Sequence, residues 1–325
     1  MTRCHSTLAD LRSGDFSRAA LRRLSEGRSI HPVLSFCRAD LPRGEVGSQV
    51  THLSISGVQD KFGLVLRRGV LQLADRDSEY ILKPIPSLPV PQYASDIPAN
   101  EHVTMQIAEQ VFGIRTAANA LVFFQDGEPA YLIRRFDRQN GRKIHQEDFC
   151  QLSSRTPASH GENYKYNGSY EETYAILRSF CPSYRIESRR LFLQVLFSYV
   201  FSNGDAHLKN FSLQEGPSGD YVLTPAYDLL ATSLHFSSES ACALPFFTDG
   251  HFTEAYESLG FYSSADFLEL GRCFELDESE IRAFLLRFQN AQAHVHALLQ
   301  RSFLSPPAQE DYWNRFQNRL LALRQ

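Results

Sequence analysis

The chain has 325 residues, of which 43% are hydrophobic and 22% charged, and a net charge of -4. That length can bury two separate cores, and the composition is that of an ordinary soluble globular protein. The slight acidity argues against non-specific nucleic-acid binding as the main task, because a polyanion binder carries a basic stripe.

Residues 1 to about 45 read as a short, mostly helical preface, broken at His31-Pro32 and Leu41-Pro42. Its arginines (Arg12, Arg18, Arg22, Arg23 and Arg28) are mixed with acids, as on a solvated helix face. A β-rich region follows. KFGLVLRRGVLQLA predicts two strands joined at Arg67-Arg68-Gly69, and EYILKPIP a third ending at prolines. SLPVPQYASDIP is polar and proline-rich, a mobile loop by composition that could gate a substrate. NEHVTMQIAEQVFG then predicts a helix, with Val103, Ile107 and Val111 on one face and Gly113 as its stop. ALVFFQDGEPAYLIRRF predicts a hairpin turning at Asp126-Gly127.

Beyond about residue 137 the pattern becomes helices and long loops. ESRRLFLQVLFSYVFS is apolar almost all round, which marks a central buried helix. YVLTPAYDLL predicts a short strand running into a turn. A capping box of Asp277 and Glu280 opens a helix with Ile281, Phe284, Leu285, Phe288 and Leu299 along its apolar stripe. Ser305-Pro306-Pro307 breaks that helix, and DYWNRFQNRLLAL forms the last one. The fold class is therefore α+β and bilobal: a β-rich N-terminal lobe over 1–140 precedes a larger, mostly α-helical lobe over 141–325.

The cysteines, at 4, 37, 150, 181, 242 and 273, form no CxxC pair, so reduced thiols in a cytosolic protein are expected. Cys4, His5 and Cys37 are too loosely spaced to argue for zinc. Leu191 to Phe201, the longest apolar stretch, is too short to span a bilayer, and the N-terminus shows no signal-type apolar region. A cytoplasmic protein with no membrane partner is expected.

The buried-looking helix runs directly into SNGDAHLKN at 202–210. A phosphoryl-transfer site needs a carboxylate to orient the attacking hydroxyl, with an amide and a second carboxylate to hold Mg²⁺ against ATP phosphates. Asp205 and Asn210 have the D-x-x-x-x-N spacing of such a loop, and Asp228 follows the next strand. Lys209 could neutralise charge on the transferred group, and His207 could contact the nucleotide. Taken alone, D-x-x-x-x-N also fits a polar helix terminus. The order of elements favours the catalytic reading, because Lys83, a candidate ATP lysine, and Glu101, its candidate partner, lie upstream where a kinase places them. For these two the plain alternatives are a strand-end lysine and a first-turn acid favoured by the helix dipole. In THLSISGVQDKFGLVL, Ser54, Ser56, Gly57, Gln59 and Lys61 could cradle phosphates, and a polar turn opening a hairpin fits equally well.

The chain resembles the HipA-like serine/threonine kinases of bacterial toxin–antitoxin systems. SISGVQDKFGLVL, YILKP, NEHVTMQIAEQVFGI, LIRRFDR, IHQEDFCQLS, YKYNGSYEETYAIL, NGDAHLKNFSL and LTPAYDLL run in family order across roughly 50–235. The resemblance implies a protein-kinase-like fold using ATP and Mg²⁺. It makes Asp205 the catalytic base, with Lys209 beside it, and Asn210 and Asp228 the metal ligands. Ser56, Gly57, Val58, Gln59, Asp60 and Lys61 become the phosphate-binding loop, with Lys83, Glu101 and His207 also at the nucleotide. Arg134, Arg135 and Phe136 become the hinge under the adenine. Longer relatives carry an N-terminal subdomain of about a hundred residues before the phosphate loop, whereas here the loop begins at residue 54. That resembles the short, HipT-like branch, and implies a HipS-like small subunit and a HipB-like repressor as antitoxin partners, with DNA met only through the repressor. In the family this loop is autophosphorylated. Ser54 and Ser56 are thus expected self-regulation sites, since a phosphoserine adds about -1.5 to -2 charge where ATP phosphates must sit; otherwise both hydroxyls simply bond within the turn. The implied substrate is an aminoacyl-tRNA synthetase, whose modification halts translation and growth.

Two other readings compete. A small-molecule kinase of the aminoglycoside-phosphotransferase type shares the D-x-x-x-x-N loop, although Asn203 stands where that group has histidine. A nucleotide-binding scaffold of a repressor complex is disfavoured by intact Lys83, Asp205, Asn210 and Asp228.

Overall fold

A computed structural model describes residues 2–42, 59–139, 141–248 and 250–325. The expectations for Ser54, Ser56, Gly57 and Val58 lie outside the described residues. Five antiparallel strands form the central sheet of the N-terminal half. In spatial order they are Val70–Leu73, Phe62–Arg67, Tyr80–Pro84, Pro129–Arg134 and Asn119–Phe123. The first hairpin turns at Arg68 and Gly69, whose φ values of 51° and 85° are those of a tight two-residue turn.

Alternation along these strands sorts the side chains onto two faces. Tyr80, Leu82, Ala130, Leu132, Ala120 and Val122 pack outward against Leu24, Ile30, Leu34 and Leu41. Ile81, Tyr131, Ile133 and Leu121 face the opposite way, into the larger core. Lys83 is the next inward position after Ile81, and register sets it opposite Tyr131. A lysine in a strand that alternates apolar residues is thereby turned into the cleft.

The preface departs from the helical expectation. It contains a two-stranded pairing of Thr2–Arg3 with Asp10–Leu11, one helix at Arg18–Ser25 and a short 3₁₀ turn at Arg38–Asp40. Much of the rest is turns and bends, while residues 32–36 run along the sheet edge, as in Leu34 N–H to the Phe123 carbonyl at 2.8 Å. The Cys4 sulfur is buried and accepts from the backbone N–H groups of Thr7 and Ser17.

The helix Ile97–Gln110 is buried along nearly its whole length, lying between the sheet and the helices of the second half. Those helices include Tyr170–Phe180, Tyr184–Val200, Ser264–Cys273, Glu278–Asn290, Gln292–Gln300 and Pro306–Ala322. A ladder of rings joins them: Phe112 on Phe288 at 4.1 Å, Phe197 on Phe201 at 4.3 Å and Phe201 on Phe316 at 4.9 Å. Such stacked pairs each add roughly 0.5–1.5 kcal/mol to plain burial.

Two C-terminal expectations are corrected. Asp277 caps its helix without a side-chain hydrogen bond, and Glu280 pairs with Arg189 instead of closing a capping box. The helix ends at Asn290 and a second begins at Gln292, so Leu299 belongs to a separate element. Pro306 and Pro307 occupy the first turn of the last helix, where a missing N–H costs nothing. Among the described residues no helix is long and apolar enough to cross a membrane.

Candidate active site

The helix Tyr184–Val200 sets the position of the acidic loop behind it. It closes with Ser202 in the left-handed conformation (φ 52°) and the Asn203 N–H returned to the Ser198 carbonyl at 2.8 Å. The chain then reverses through Gly204 and Asp205 into a 3₁₀ turn at Leu208–Asn210. Asn210 Nδ2 donates to the Asp205 carbonyl at 2.9 Å, so the two ends of D-x-x-x-x-N are locked together through backbone. Tyr227 donates to the Lys209 carbonyl at 2.8 Å while bonding Ser212, which fixes the loop to the strand Ser212–Glu215.

That strand pairs with Tyr221–Leu223, after which the chain turns back to Asp228. Asp228 has φ 54°, an uncommon conformation for a non-glycine residue, and the strain aims its carboxylate into the cleft. Asn203 donates to the Asp228 carbonyl at 3.3 Å, coupling the two acidic segments.

Two buried ionisable side chains, Lys83 and Glu101, then meet the partly buried Asp228. Lys83 Nζ lies 2.6 Å from Glu101 Oε1 and in direct contact with Asp228 Oδ1. Lys61 Nζ stands 3.9 Å from Asp228 Oδ2. Burial works to raise the Asp228 pKa, but Lys83 and then Lys61 outweigh it, leaving the carboxyl well below its usual range. Lys83 is likewise desolvated, yet Asp228 and Glu101 hold it firmly protonated. Glu101, with no exposed surface, is pushed up to about 7 by burial, against the pull of Lys83. Its Oε2 has no hydrogen-bond partner among the described residues.

Asp205 is 1% exposed and accepts a hydrogen bond from the Tyr166 hydroxyl. His207 Nε2 lies 3.7 Å from Asp205 Oδ1, close enough to suggest an ion pair. Burial, reinforced by Lys165, lowers the imidazole to about 3, so it is neutral and no such pair forms. Both of its ring nitrogens lack a hydrogen-bond partner among the described residues. Lys209 Nζ contacts Asp148 Oδ2 at 3.1 Å and lies over the Tyr164 ring.

Two adjoining cavities share Lys61, Tyr227 and Asp228 in their walls. One, of about 350 Å³, is bounded by Ile81, Lys83, Ile133 and the 134–137 segment. Arg134 and Arg135 turn their guanidinium groups to Glu26 and Asp137, while Phe136 leans on Tyr227 with centroids 5.7 Å apart. The other, of about 440 Å³, gathers Lys61, Lys165, Lys209 and His207 around Asn210 and Asp228. Three ammonium groups and two oxygen donors form a chemistry suited to phosphates and a hard cation. Gln59 and Asp60 line neither cavity: Gln59 donates to the Pro84 carbonyl at 3.2 Å and Asp60 accepts from Ser87 at 2.9 Å. Reading the sequence did not single out Tyr166, Lys165 or Tyr227 for roles, since each becomes informative only when the loops come together.

A β-rich half clasping one helix, above a helical half whose loop faces a strand-borne lysine, defines a protein-kinase-like fold. The comparisons narrow this. A family model described as the HipA-like C-terminal domain matches residues 53–295, and the chain belongs to that family. A Haemophilus influenzae protein named as a kinase is 26% identical over 347 residues, 99% of this chain and 98% of its own length. The serine/threonine-protein kinase toxin HipA of Shewanella oneidensis is 26% identical over 287 residues, 82% of this chain and 61% of that protein. In solved structures, HipA from the Shewanella complex of HipA, HipB and operator DNA superposes with a TM-score of 0.64, at 22% identity over 86% of this chain and 67% of that chain. The Helicobacter pylori proinflammatory kinase CtkA superposes at 0.53, with 13% identity over 80% and 93%. At those identities the structures speak to fold alone. Both curated relatives are named as kinases, and the chain is a HipA-family kinase.

Proposed function

We propose that the chain is an ATP-dependent protein serine/threonine kinase acting as the toxin of a toxin–antitoxin system. The observation that carries this is the meeting of Lys83, Glu101 and Asp228 in one cleft with the loop of Asp205 and Asn210. The adenine would enter between the sheet and the 134–136 segment, with Lys83 and Lys61 reaching the phosphates. Asn210 and Asp228 would hold Mg²⁺, two protein oxygens being enough for an ion that keeps waters and phosphate oxygens as its other ligands. Bound there, the ion supplies positive charge to the phosphate oxygens as the leaving group departs.

The acceptor hydroxyl approaches the γ-phosphorus as its proton passes to Asp205. The new bond joins serine oxygen to phosphorus, the β,γ-bridging bond breaks, and ADP carries away the electron pair. Lys209, anchored on Asp148, offsets charge on the transferred group. An aminoacyl-tRNA synthetase as substrate, HipS-like and HipB-like antitoxin partners, self-control by phosphorylation of Ser54 and Ser56, and the division into lobes at 140/141 belong to the same reading. They rest on family membership and on HipB accompanying HipA in the Shewanella complex.

The test is intact-mass and peptide-mass analysis after incubation with Mg-ATP, beside an Asp205→Asn control. Phosphate on Ser54 or Ser56 in the parent, and none in the control, is expected. No mass gain in either, from an unmodified parent, would overturn the reading in favour of the small-molecule kinase or the scaffold. An ATP-dependent thermal shift without transfer would single out the scaffold.

A further inference from the structure

A third cavity adjoins the catalytic loop and has no part in the chemistry described above. It holds about 630 Å³, and its walls include Pro91, Asn163, Tyr166, Gly204, Phe236 and Glu239. It shares no wall residue with the two nucleotide-side cavities. It nevertheless reaches the base from two directions. Gly204 directly precedes Asp205, and Tyr166 touches the Asp205 carboxylate.

The wall at Gly204 is tightly built. A Cβ there would lie 2.3 Å from the Ser240 carbonyl oxygen and 2.7 Å from Glu239 Cγ. The 239–240 segment therefore sits directly on the catalytic loop, and the Gly204 N–H is fastened to Thr232 Oγ1 at 2.7 Å. Glu239 is held beside the reacting centre by backbone packing, not by a free-swinging loop.

Its charge is unanswered. No Lys, Arg or His lines the cavity among the described residues, and Glu239 enters no ion pair there. One carboxylate oxygen, Oε2, is buried without a hydrogen-bond partner among those residues. Burial pushes the group up to about 7, Thr232 opposing and the negative Asp205 adding to the rise. A desolvated acid beside a second acid is stabilised by an incoming cation. The basic side chains Lys61, Lys165 and Lys209 all line the phosphate-side cavity instead.

We propose that this cavity is the acceptor-side subsite, and that Glu239 receives a lysine or arginine side chain close to the serine or threonine presented to Asp205. The proposal rests on the kinase reading and adds a substrate class to it: a protein segment with a basic residue near its acceptor.

The test uses the full purified chain with Mg-ATP and a panel of serine peptides. Lys, Arg, Ala or Glu is placed in turn at each flanking position, and phosphate incorporation is followed by mass spectrometry. The parent is compared with Glu239→Gln and Glu239→Arg. At one position the parent is expected to favour a basic residue over alanine by about tenfold, the effect of one close charge pair. Glu239→Gln should lose that preference, and Glu239→Arg should prefer glutamate at the same position, a switch that a damaged fold cannot produce. A parent without basic preference, a parent that labels itself but no peptide, a Gln variant that keeps the preference, or two variants devoid of transfer would each overturn the subsite and leave the kinase reading standing. A parent that labels neither peptide nor itself would overturn the kinase reading.

Discussion

The hydroxyl of Tyr166 donates its hydrogen bond to the carboxylate of Asp205. On the proposed mechanism, a phenol thus occupies ground that the acceptor hydroxyl would take before its proton could pass to Asp205. Tyr166 is packed edge-on to His207, with centroids 5.1 Å apart, so it is a settled contact and not a loose side chain.

Removing that hydroxyl should help the acceptor. A hydrogen bond to a charged group contributes about 1.5–3 kcal/mol, so Tyr166→Phe is expected to lower the KM for a protein or peptide acceptor by about tenfold, with the KM for ATP little changed. Steady-state kinetics with each substrate varied in turn measures this. A higher acceptor KM in the variant would show that the hydroxyl assists binding instead of competing with it.

Lys83 is the one ammonium group bonded to two carboxylates among the described residues, the buried Glu101 and the partly buried Asp228. Lys83→Met leaves Glu101 and Asp228 facing each other without it, and breaking a buried pair costs about 3–5 kcal/mol. Denaturant unfolding should show a loss of that order, and phosphate transfer should vanish. Adding Glu101→Gln removes one of the stranded acids, so the double variant should recover part of the stability but none of the activity.

His235 gives a pH prediction with a definite sign. Its Nδ1–H donates to the Gln92 carbonyl at 3.0 Å, and its Nε2 accepts from Asn100 Nδ2 at 2.8 Å. Asn100 cannot turn to offer an oxygen, because its Oδ1 already accepts from the Ala231 N–H at 3.0 Å and from Thr104. A second ring proton has no acceptor, and burial lowers the imidazole to about 4, with Asp96 opposing and Arg315 assisting. The unfolded chain therefore binds protons that the folded chain refuses, so this stability is complete above the ordinary value near 6.5 and lost as pH falls toward 4. Glu101 and Glu239, both pushed up to about 7, act in the opposite sense between pH 4.5 and 7. The clean measurement is a difference: His235→Gln should lose less thermal stability than the parent on acidification from pH 6.5 to 4. Equal losses would refute the assignment.

Gly204 supplies a steric prediction. Because an added Cβ meets the Ser240 carbonyl oxygen at 2.3 Å, Gly204→Ala must displace either the 239–240 segment or the loop that carries Asp205 and Asn210. Overpacking of this kind costs roughly 1–3 kcal/mol. Transfer to an external acceptor should fall severalfold, while ATP binding, which uses other walls, should persist in a thermal-shift titration.

Much of this protein was legible from local pattern. The stretch around Lys83 read as a strand ending at prolines, and Asp126-Gly127 marked the hairpin of the neighbouring strands, because strand preference and tight turns are properties of a few adjacent residues. The same holds for the buried helix before Asp205 and for the spacing that brings Asn210 back to the Asp205 carbonyl. Local pattern misled where packing chose among equals. Residues 32–36 of the preface became extended chain because the sheet edge offered them hydrogen bonds. Glu280 left its capping box because Arg189 arrived from another helix.

The sequence by itself determined which residues could carry phosphoryl transfer and the order in which they occur, since those follow from residue type and spacing. Tertiary structure alone decided that Lys83 would grip two acids, that Tyr166 would cover Asp205, and that Glu239 would stand beside it with no cation among the described residues. Each of those contacts joins segments far apart in the chain, and no local propensity encodes the distance between them.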